Sequence, residues 1–229
     1  MPLPASYKRQ SNANQPLTIY LVVIAFCSTL AIANPLGLTS QILDAVAQEY
    51  GRRARSRVLA WQHLVDTSAS QPEREKLKRV NDFFNQIQFV SDQRHWQKDD
   101  YWATPVELLA THGGDCEDFA IAKYITLRAL EVPDDKLRIT YVKALELDQA
   151  HMVLTFYATP GSIPDVLDNL DQKIKPANQR PDLQPVYSFN GNGLWLAKMR
   201  GEGQKLGSAN DLIMWRDLVT RLNRERDAS

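Results

Sequence analysis

The sequence predicts an α+β fold in which a helical first half precedes an antiparallel β-sheet and a closing helix. Apolar residues recur at helical spacing through the first half. Beyond Pro133, short runs rich in β-branched and aromatic residues take over, and Asn190-Gly191-Asn192-Gly193 separates two of them as in a β-hairpin. We expect a single domain over residues 34–229, with a helical lobe at about 34–133 and a mainly β lobe with a C-terminal helix at 134–229.

The composition is that of an ordinary globular protein. The 229 residues include 44% hydrophobic side chains, and 27 basic residues balance 27 acidic ones. Because no basic field is present to condense on phosphates, we expect no nucleic-acid partner. The two cysteines, Cys27 and Cys116, are too few for a disulfide-stapled small fold.

The N-terminus carries an export signal. Lys8 and Arg9 precede the apolar stretch Leu17–Leu30, which ends in Ala31-Ile32-Ala33. This pattern predicts a signal peptide over residues 1–33, and the alternative is an uncleaved N-terminal anchor. The stretch is shorter than a membrane span of roughly 20 residues, so we expect no stable membrane insertion of the mature chain. Removing Lys8 and Arg9 leaves 25 basic and 27 acidic residues, a net charge of −2.

Five helices are predicted before the sheet. Residues 38–65 hold two apolar segments separated by Gly51 and a run of four arginines, which fits a solvated helix face or a partner surface. Ser70-Gln-Pro-Glu73 and Thr104-Pro-Val-Glu107 are capping boxes that predict the next two helix starts. A further helix is predicted from Asp115 or Cys116 to about Glu131.

The second half of the chain is predicted to form strands. Leu137–Leu147 and His151–Ala158 have strand composition, as do the two arms of the hairpin, Val186–Phe189 and Leu194–Met199. Lys173–Pro185, with three prolines, is interpreted as a linker. Asn210 or Asp211 is expected to cap the closing helix.

Cys116 is the candidate nucleophile. Export would leave it as the lone cysteine in an oxidising compartment, where an exposed thiol is a liability, so its presence suggests catalysis. The alternative is a buried small hydrophobe. Backbone N–H groups and the dipole at a helix N-terminus favour a thiolate, and the preceding Gly113 and Gly114 would let a substrate backbone approach closely.

His151 and Asp168 are the candidate base and orienting carboxylate. His151 opens a predicted strand, and Asp168 lies between Leu167 and Leu170, where an unpaired charge would be costly. An imidazole is a suitable partner for such a carboxylate. His112, four positions before the cysteine, remains a competing base, whereas His63 and His95 are interpreted as packing or surface residues.

Three carboxylates, Asp115, Glu117 and Asp118, surround the cysteine. Acidic residues are favoured in any first helical turn, and Asp115 alone fits an N-cap. Together, however, they oppose ionisation of the thiol, and a divalent cation would cancel that repulsion. Hard oxygen ligands favour calcium, and the sequence lacks the usual zinc motifs. On the residues alone, both interpretations stay open.

Three segments resemble the bacterial transglutaminase-like cysteine proteinases, in particular the periplasmic members that release large adhesins. The segments are Gly113-Gly-Asp-Cys-Glu-Asp-Phe-Ala120, His151-Met-Val-Leu154 and Leu167-Asp-Asn169, and Tyr101–Glu107 adds to the likeness. The resemblance spans about residues 40–200. It implies a papain-like, transglutaminase-like fold, with the nucleophile at a helix N-terminus packed on an antiparallel sheet.

The resemblance also implies roles for individual residues. Cys116 would be the nucleophile, His151 the general base and acid, and Asp168 the orienting carboxylate, acting through an acyl-enzyme. Calcium would be held by acidic residues beside the cysteine, namely Asp115, Glu117 and Asp118. The Cys116 backbone N–H is a natural oxyanion donor, and Trp102 is a candidate to complete the hole.

The implied function is that of a calcium-dependent cysteine endopeptidase in the periplasm. Its substrate would be the N-terminal retention module of a large surface adhesin, cut at a small-residue, di-alanine-type site to promote biofilm dispersal. An inner-membrane cyclic di-GMP receptor would sequester it through a periplasmic domain. The alternative enzyme is a transglutaminase-like amidase or peptidase acting on another periplasmic or cell-wall peptide. A non-catalytic binding module is disfavoured because all three candidate catalytic residues are present.

Overall fold

Six helices precede the main sheet in the computed structural model, which describes residues 34–196 and 203–227. The predicted signal peptide, residues 1–33, lies outside the described residues. Gly51, with φ +88°, separates the first two helices as predicted. The helices are α1 (Ser40–Tyr50), α2 (Arg52–Ser68), α3 (Glu73–Phe84), α4 (Asp92–His95), α5 (Pro105–Thr111) and α6 (Cys116–Ala129).

The main sheet has seven described strands, and every neighbouring pair is antiparallel. In chain order its strands are β3 (Leu137–Ala144), β4 (Gln149–Phe156), β5 (Asp165–Leu167), β6 (Lys175–Pro176), β7 (Leu183–Asn190), β8 (Gly193–Leu196) and β9 (Lys205–Gly207). In space they run β6-β5-β4-β3-β7-β8-β9, so β7 lies directly beside β3. A separate parallel pair, β1 (Gln88–Phe89) and β2 (Gly113–Gly114), lies within the helical half, and α7 (Ile213–Asp227) closes the fold.

One predicted capping box forms and the other does not. The Glu107 backbone N–H donates to Thr104 Oγ1 at 3.2 Å, and the Thr104 N–H donates to Glu107 Oε2 at 2.7 Å, which confirms the cap of α5. The box at Ser70 was wrong, because α3 starts at Glu73 with Pro72 in the N-cap position. A residue before proline is driven out of the helical region, so Gln71 cannot provide the first turn that this box needs.

The predicted strands are found with shifted bounds, and residues 197–199 of the second hairpin arm lie outside the described residues. β3 stops at Ala144, short of the predicted Leu147, and β7 starts at Leu183, inside the segment predicted as a linker. Pro185 is tolerated in β7 because the pairing with β3 shifts register between Tyr141 and Val142. The Asn190–Gly193 hairpin is confirmed.

The core joins the helices to the sheet around α6. This helix packs on β4 and β3, and the largest fully buried side chains of the core come from both halves of the chain. They include Phe84, Ile121, Leu127, Leu137, Ile139 and Phe189. Trp215 of α7 packs edge-on against Phe189, with 5.3 Å between ring centroids. This packing sets the first turn of α6 against the strand that carries His151. Within the described residues, no helix combines the length and the apolarity that a membrane crossing requires.

Candidate active site

Cys116, His151 and Asp168 come from three different elements. Cys116 is the first residue of α6, His151 lies near the start of β4, and Asp168 directly follows β5. His151 Nε2 lies 2.8 Å from Asp168 Oδ1, and both side chains are buried. Because Asp168 engages Nε2, the other ring nitrogen, Nδ1, is left to exchange a proton with a nucleophile.

Cys116 and His151 line one open cleft of about 480 Å³. The backbone of Met152, which follows His151, acts to lower the pKa of the Cys116 thiol, against the larger effect of burial. Cys116 is half-buried and faces this cleft, which agrees with the catalytic interpretation better than with a packed hydrophobe. The competing base His112 ends α5 at φ +59° and is absent from the cleft lining, as are His63 and His95.

Asp168 is held as an anion despite its burial. Burial alone would raise its pKa, but donors from His151, the Leu170 backbone and Arg180 lower that pKa to about 2. The Leu170 N–H donates to Asp168 Oδ1 at 3.0 Å. From α3, the Asn85 side chain donates to the Asp168 carbonyl at 2.8 Å and fixes the backbone after β5. The imidazole therefore meets an ionised and oriented carboxylate.

The acidic residues beside the cysteine belong to a larger cluster, which we call the acidic cluster: Asp92, Asp100, Asp115, Glu117 and Asp118. Carboxylate oxygens of Asp92, Asp115 and Asp118 lie within 4.8 Å of one another, and those of Asp92, Asp100 and Glu117 do the same. Asp92, in the first turn of α4, is shared by both groups. The sequence analysis missed Asp92 and Asp100, because both lie in a polar segment without a ligand motif.

The acidic cluster fits a hard divalent cation. Asp92 is only 4% exposed, yet its Oδ1 atom has no hydrogen-bond partner within the described chain, and the same holds for Oδ1 of Asp115. Such buried, unpaired carboxylate oxygens are costly unless a cation engages them. Asp118 has a second role, since its oxygens accept from the backbone N–H groups of Ala103 (2.7 Å) and Asp115 (3.2 Å). It thereby ties the segment after Tyr101 to the start of α6.

Without a cation, these carboxylates oppose ionisation of the thiol. Burial raises the pKa of Asp115, Glu117 and Asp118, and repulsion between neighbouring carboxylates raises it further. Burial also raises the pKa of the Cys116 thiol, and the negative charge of Glu117 raises that pKa further. The Cys116 thiol donates to Glu117 Oε2 at 3.0 Å. These contacts therefore favour the protonated thiol when no cation is bound.

Trp102 lines the cleft, whereas the two glycines do not. The Trp102 ring stacks on the Phe189 ring, with 5.6 Å between the centroids. Arg221 of α7 donates to the Trp102 carbonyl, and it also donates to Glu107 Oε2 at 2.7 Å. Trp102 is thus held rigidly at the cleft wall, where an oxyanion-hole residue is expected.

Gly113 and Gly114 are buried in β2. A Cβ on Gly114 would lie 2.5 Å from Asp118 Oδ2, and a Cβ on Gly113 would lie 3.1 Å from the His95 ring. Close packing behind the cleft therefore explains these glycines, in place of the expected approach of a substrate backbone.

Comparisons with known proteins agree with this geometry. LapG of Legionella pneumophila, in its EGTA-treated form, is 48% identical to this chain. The match has a TM-score of 0.71 and covers 80% of this chain and 96% of the LapG chain. Its calcium-bound form is 49% identical, with a TM-score of 0.69 over 81% of this chain and 99% of that chain. Curated proteins give no match.

The family model described as "Bacterial transglutaminase-like cysteine proteinase BTLCP" matches residues 49–184, more than half of the chain. This match and the likeness to LapG confirm the family and the α+β, transglutaminase-like fold expected from the motifs. The chain is a cysteine peptidase, and it belongs to the bacterial transglutaminase-like cysteine proteinases.

Proposed function

We propose that this peptidase is a calcium-dependent endopeptidase of the periplasm that cuts the N-terminal retention module of a large surface adhesin. One observation carries the proposal: Cys116 opens into the same cleft as the His151–Asp168 pair, while its neighbours Asp115 and Glu117 belong to the acidic cluster. Nucleophile and cation site thus share the first turn of α6. The calcium-bound form of LapG supports calcium as the ion.

The triad works by acyl transfer. His151 Nδ1 takes the proton of the Cys116 thiol, and the sulfur attacks the scissile carbonyl carbon. The oxyanion that forms faces the Cys116 backbone N–H at the helix N-terminus, with Trp102 at the adjoining wall. The imidazolium then gives its proton to the leaving amine, which departs as the free N-terminus of one product. Water, deprotonated by His151, releases the other product from sulfur as a carboxylic acid.

The acidic cluster tunes this nucleophile. Asp92, Asp115 and Glu117, with Asp118 and Asp100, would hold the calcium ion, whose charge offsets the carboxylates around the thiol. Glu117 competes with His151 for the thiol proton through its hydrogen bond from Cys116. If the Glu117 carboxylate turned towards the cation instead, the Cys116 thiol would be free to give its proton to His151.

A polypeptide substrate suits the cleft. Phe89 and Leu170 line it while remaining 55% and 49% exposed, so an extended segment can bury apolar surface there. From the resemblance we assign the substrate as an adhesin cut at a small-residue site, to promote biofilm dispersal. Control by an inner-membrane cyclic di-GMP receptor, whose periplasmic domain sequesters the protease, follows from the same resemblance.

Cleavage of a recombinant adhesin N-terminal fragment tests the proposal. The chain from residue 34 and its Cys116→Ser variant are each incubated with the fragment, in calcium or in chelator, and the products are read by intact mass. We expect one small-residue site to be cut by the wild type alone, and only with calcium. Cleavage by Cys116→Ser in chelator would contradict the mechanism. If the adhesin fragment stayed intact while a cell-wall peptide was cleaved in a parallel assay, the amidase alternative would be favoured instead.

A reporter fusion tests export. Residues 1–33 fused to an enzyme that folds only outside the cytoplasm should give activity, and a fusion lacking Leu17–Leu30 should give none. Equal activity of the two fusions would contradict the periplasmic assignment.

A further inference from the structure

A second ion pair lies behind the His151–Asp168 pair. Arg180 follows a short 3-10 turn at Ala177–Gln179 and is only 4% exposed. Its Nη2 atom donates to Asp168 Oδ2 at 2.7 Å and to Asp182 Oδ2 at 2.7 Å. Its Nε atom donates to Asp182 Oδ1 at 3.0 Å. Arg180 therefore connects the carboxylate of the triad to a second carboxylate outside it.

The three donors on Asp168 fix both of its oxygens. Oδ1 accepts from His151 Nε2 and from the Leu170 N–H, and Oδ2 accepts from Arg180. A carboxylate held at both oxygens cannot rotate about its Cβ–Cγ bond, so Oδ1 stays in line with the imidazole. Without Arg180, Oδ2 would be a buried charged atom with no donor, which is a costly state.

Arg180 provides a positive charge next to Asp168 that persists at every working pH. His151 faces Asp168 from β4, and Lys123 faces it from α6, while α3 contributes the neutral Asn85 amide. Burial lowers the pKa of Lys123 to about 7, so this amine loses its charge near neutrality. Asp182 is the second anion on Arg180 and partly offsets its charge. Arginine stays protonated throughout the working range of an enzyme.

Arg180 does not belong to the substrate-binding surface. It is absent from the lining of the cleft that holds Cys116 and His151, and its guanidinium lies on the far side of Asp168 from the imidazole. We therefore expect an effect of Arg180 on turnover to pass through Asp168, which it contacts directly. This contact could not be predicted from the sequence, because Arg180 falls in the segment predicted as a linker.

We propose that Arg180 is a positioning residue of the triad, which clamps the Asp168 carboxylate in the orientation that His151 requires, with Asp182 as its anchor. This inference rests on the proposed Cys116–His151–Asp168 triad. Arg180 stabilises the imidazolium form indirectly, by holding a charged and aligned Asp168 beneath it.

Steady-state kinetics on a cleavable peptide, per active thiol, test the clamp in the calcium-loaded protein. For Arg180→Met we expect kcat to fall about 10–100-fold, by analogy with the loss of a hydrogen-bond partner that orients a metal-ligating side chain. KM should change less than about twofold because Arg180 does not touch substrate. The acid limb of the kcat profile should move to higher pH, because Asp168 takes up a proton more readily without Arg180.

Two further variants separate charge from mere packing. Arg180→Lys keeps a positive charge but loses the planar fork, so it should recover part of kcat and keep the acid limb near that of the wild type. Asp182→Asn removes the anchor at a side chain that is 30% exposed, and should lower kcat less than Arg180→Met without unfolding the protein. Arg128→Met is the matched control, since Arg128 likewise pairs with an aspartate, Asp134, but lies outside the cleft lining.

Asp168→Asn distinguishes failure of the triad from failure of the clamp. If Asp168→Asn keeps the wild-type kcat, the triad on which the inference rests is wrong. The clamp is overturned if Asp168→Asn is inactive while Arg180→Met keeps the wild-type kcat and acid limb. If Arg180→Met does not fold, the same result with Asp182→Asn overturns it. Equal losses in Arg180→Met and Arg180→Lys, with an unmoved acid limb, also overturn it in favour of packing.

Discussion

Replacing Asp92 by asparagine should uncouple the protein from calcium. Asp92 is the carboxylate shared by both groups of oxygens in the acidic cluster, and it is buried with Oδ1 unpaired among the described residues. Asparagine keeps the shape of the side chain and an acceptor oxygen for the Tyr101 N–H, which now bonds Asp92 Oδ2 at 2.5 Å. The substitution therefore removes one negative charge with little change in packing.

The magnitude follows from binding linkage. Calcium at 100 times its Kd adds about 2.7 kcal/mol to the free energy of unfolding, because it binds only the folded cluster. For a domain of this size, that corresponds to a rise in Tm of about 5–10 °C. If Asp92→Asn weakens binding about a hundredfold, the same calcium concentration equals the new Kd and adds only about 0.4 kcal/mol. The expected rise in Tm is then about 1 °C.

Thermal unfolding in calcium and in EGTA measures this difference directly. Asp171→Asn is the matched control, since Asp171 is an acid outside the cluster that pairs with Lys175 on the surface. The control should keep the full calcium-dependent rise in Tm. A full rise in Asp92→Asn would refute the placement of the ion at Asp92, and the absence of any rise in the wild type would refute the cation site itself.

Three further predictions concern packing around the site. Gly114→Ala would place a Cβ 2.6 Å from Leu108 Cδ1, as well as against Asp118, and should cost about 1–3 kcal/mol in urea unfolding; a wild-type midpoint would contradict this packing role. Phe84→Ala empties a fully buried core position and should cost about 3–5 kcal/mol by the same assay, with a loss below 1 kcal/mol as the contrary result. Lys123→Met should stabilise the fold by at least about 1 kcal/mol at pH 7, since the buried amine has its pKa lowered to about 7 from 10.5. That gain should shrink as pH rises from 7 towards 10.5, the pKa of the unfolded amine, and a gain independent of pH would contradict the assignment.

Local signals in the sequence predicted two features of the candidate site that the structure contains, the helix start at Cys116 and the contact between His151 and Asp168. The helix start at Cys116 follows from two glycines, an acidic first turn and an apolar helical face, all within about fifteen residues. The pairing of His151 with Asp168 could be inferred because a carboxylate flanked by leucines needs a partner. Both features depend on nearest neighbours in the chain or on the chemistry of one buried group.

Features made by distant segments could not be predicted. Asp92 reaches the start of α6 only because β1 pairs with β2 and α4 packs beside that pair, and a two-residue strand leaves no hydrophobic pattern. Arg180 lies in a polar, proline-containing segment that was predicted to be a linker. Its contacts with Asp168 and Asp182 depend on the path of the chain between β5 and β7, which the local sequence does not reveal. Tertiary pairing, rather than local propensity, decides both positions.

The place of β7 in the sheet has a consequence for when the enzyme becomes active. β7 inserts beside β3, about 40 residues earlier in the chain, so the middle of the sheet stays open until β7 has been synthesised. A chain emerging in order presents its thiol first, then the imidazole, then the carboxylate and its arginine. The thiol thus precedes its base in the order of synthesis, and turnover by the proposed triad must await folding of the sheet.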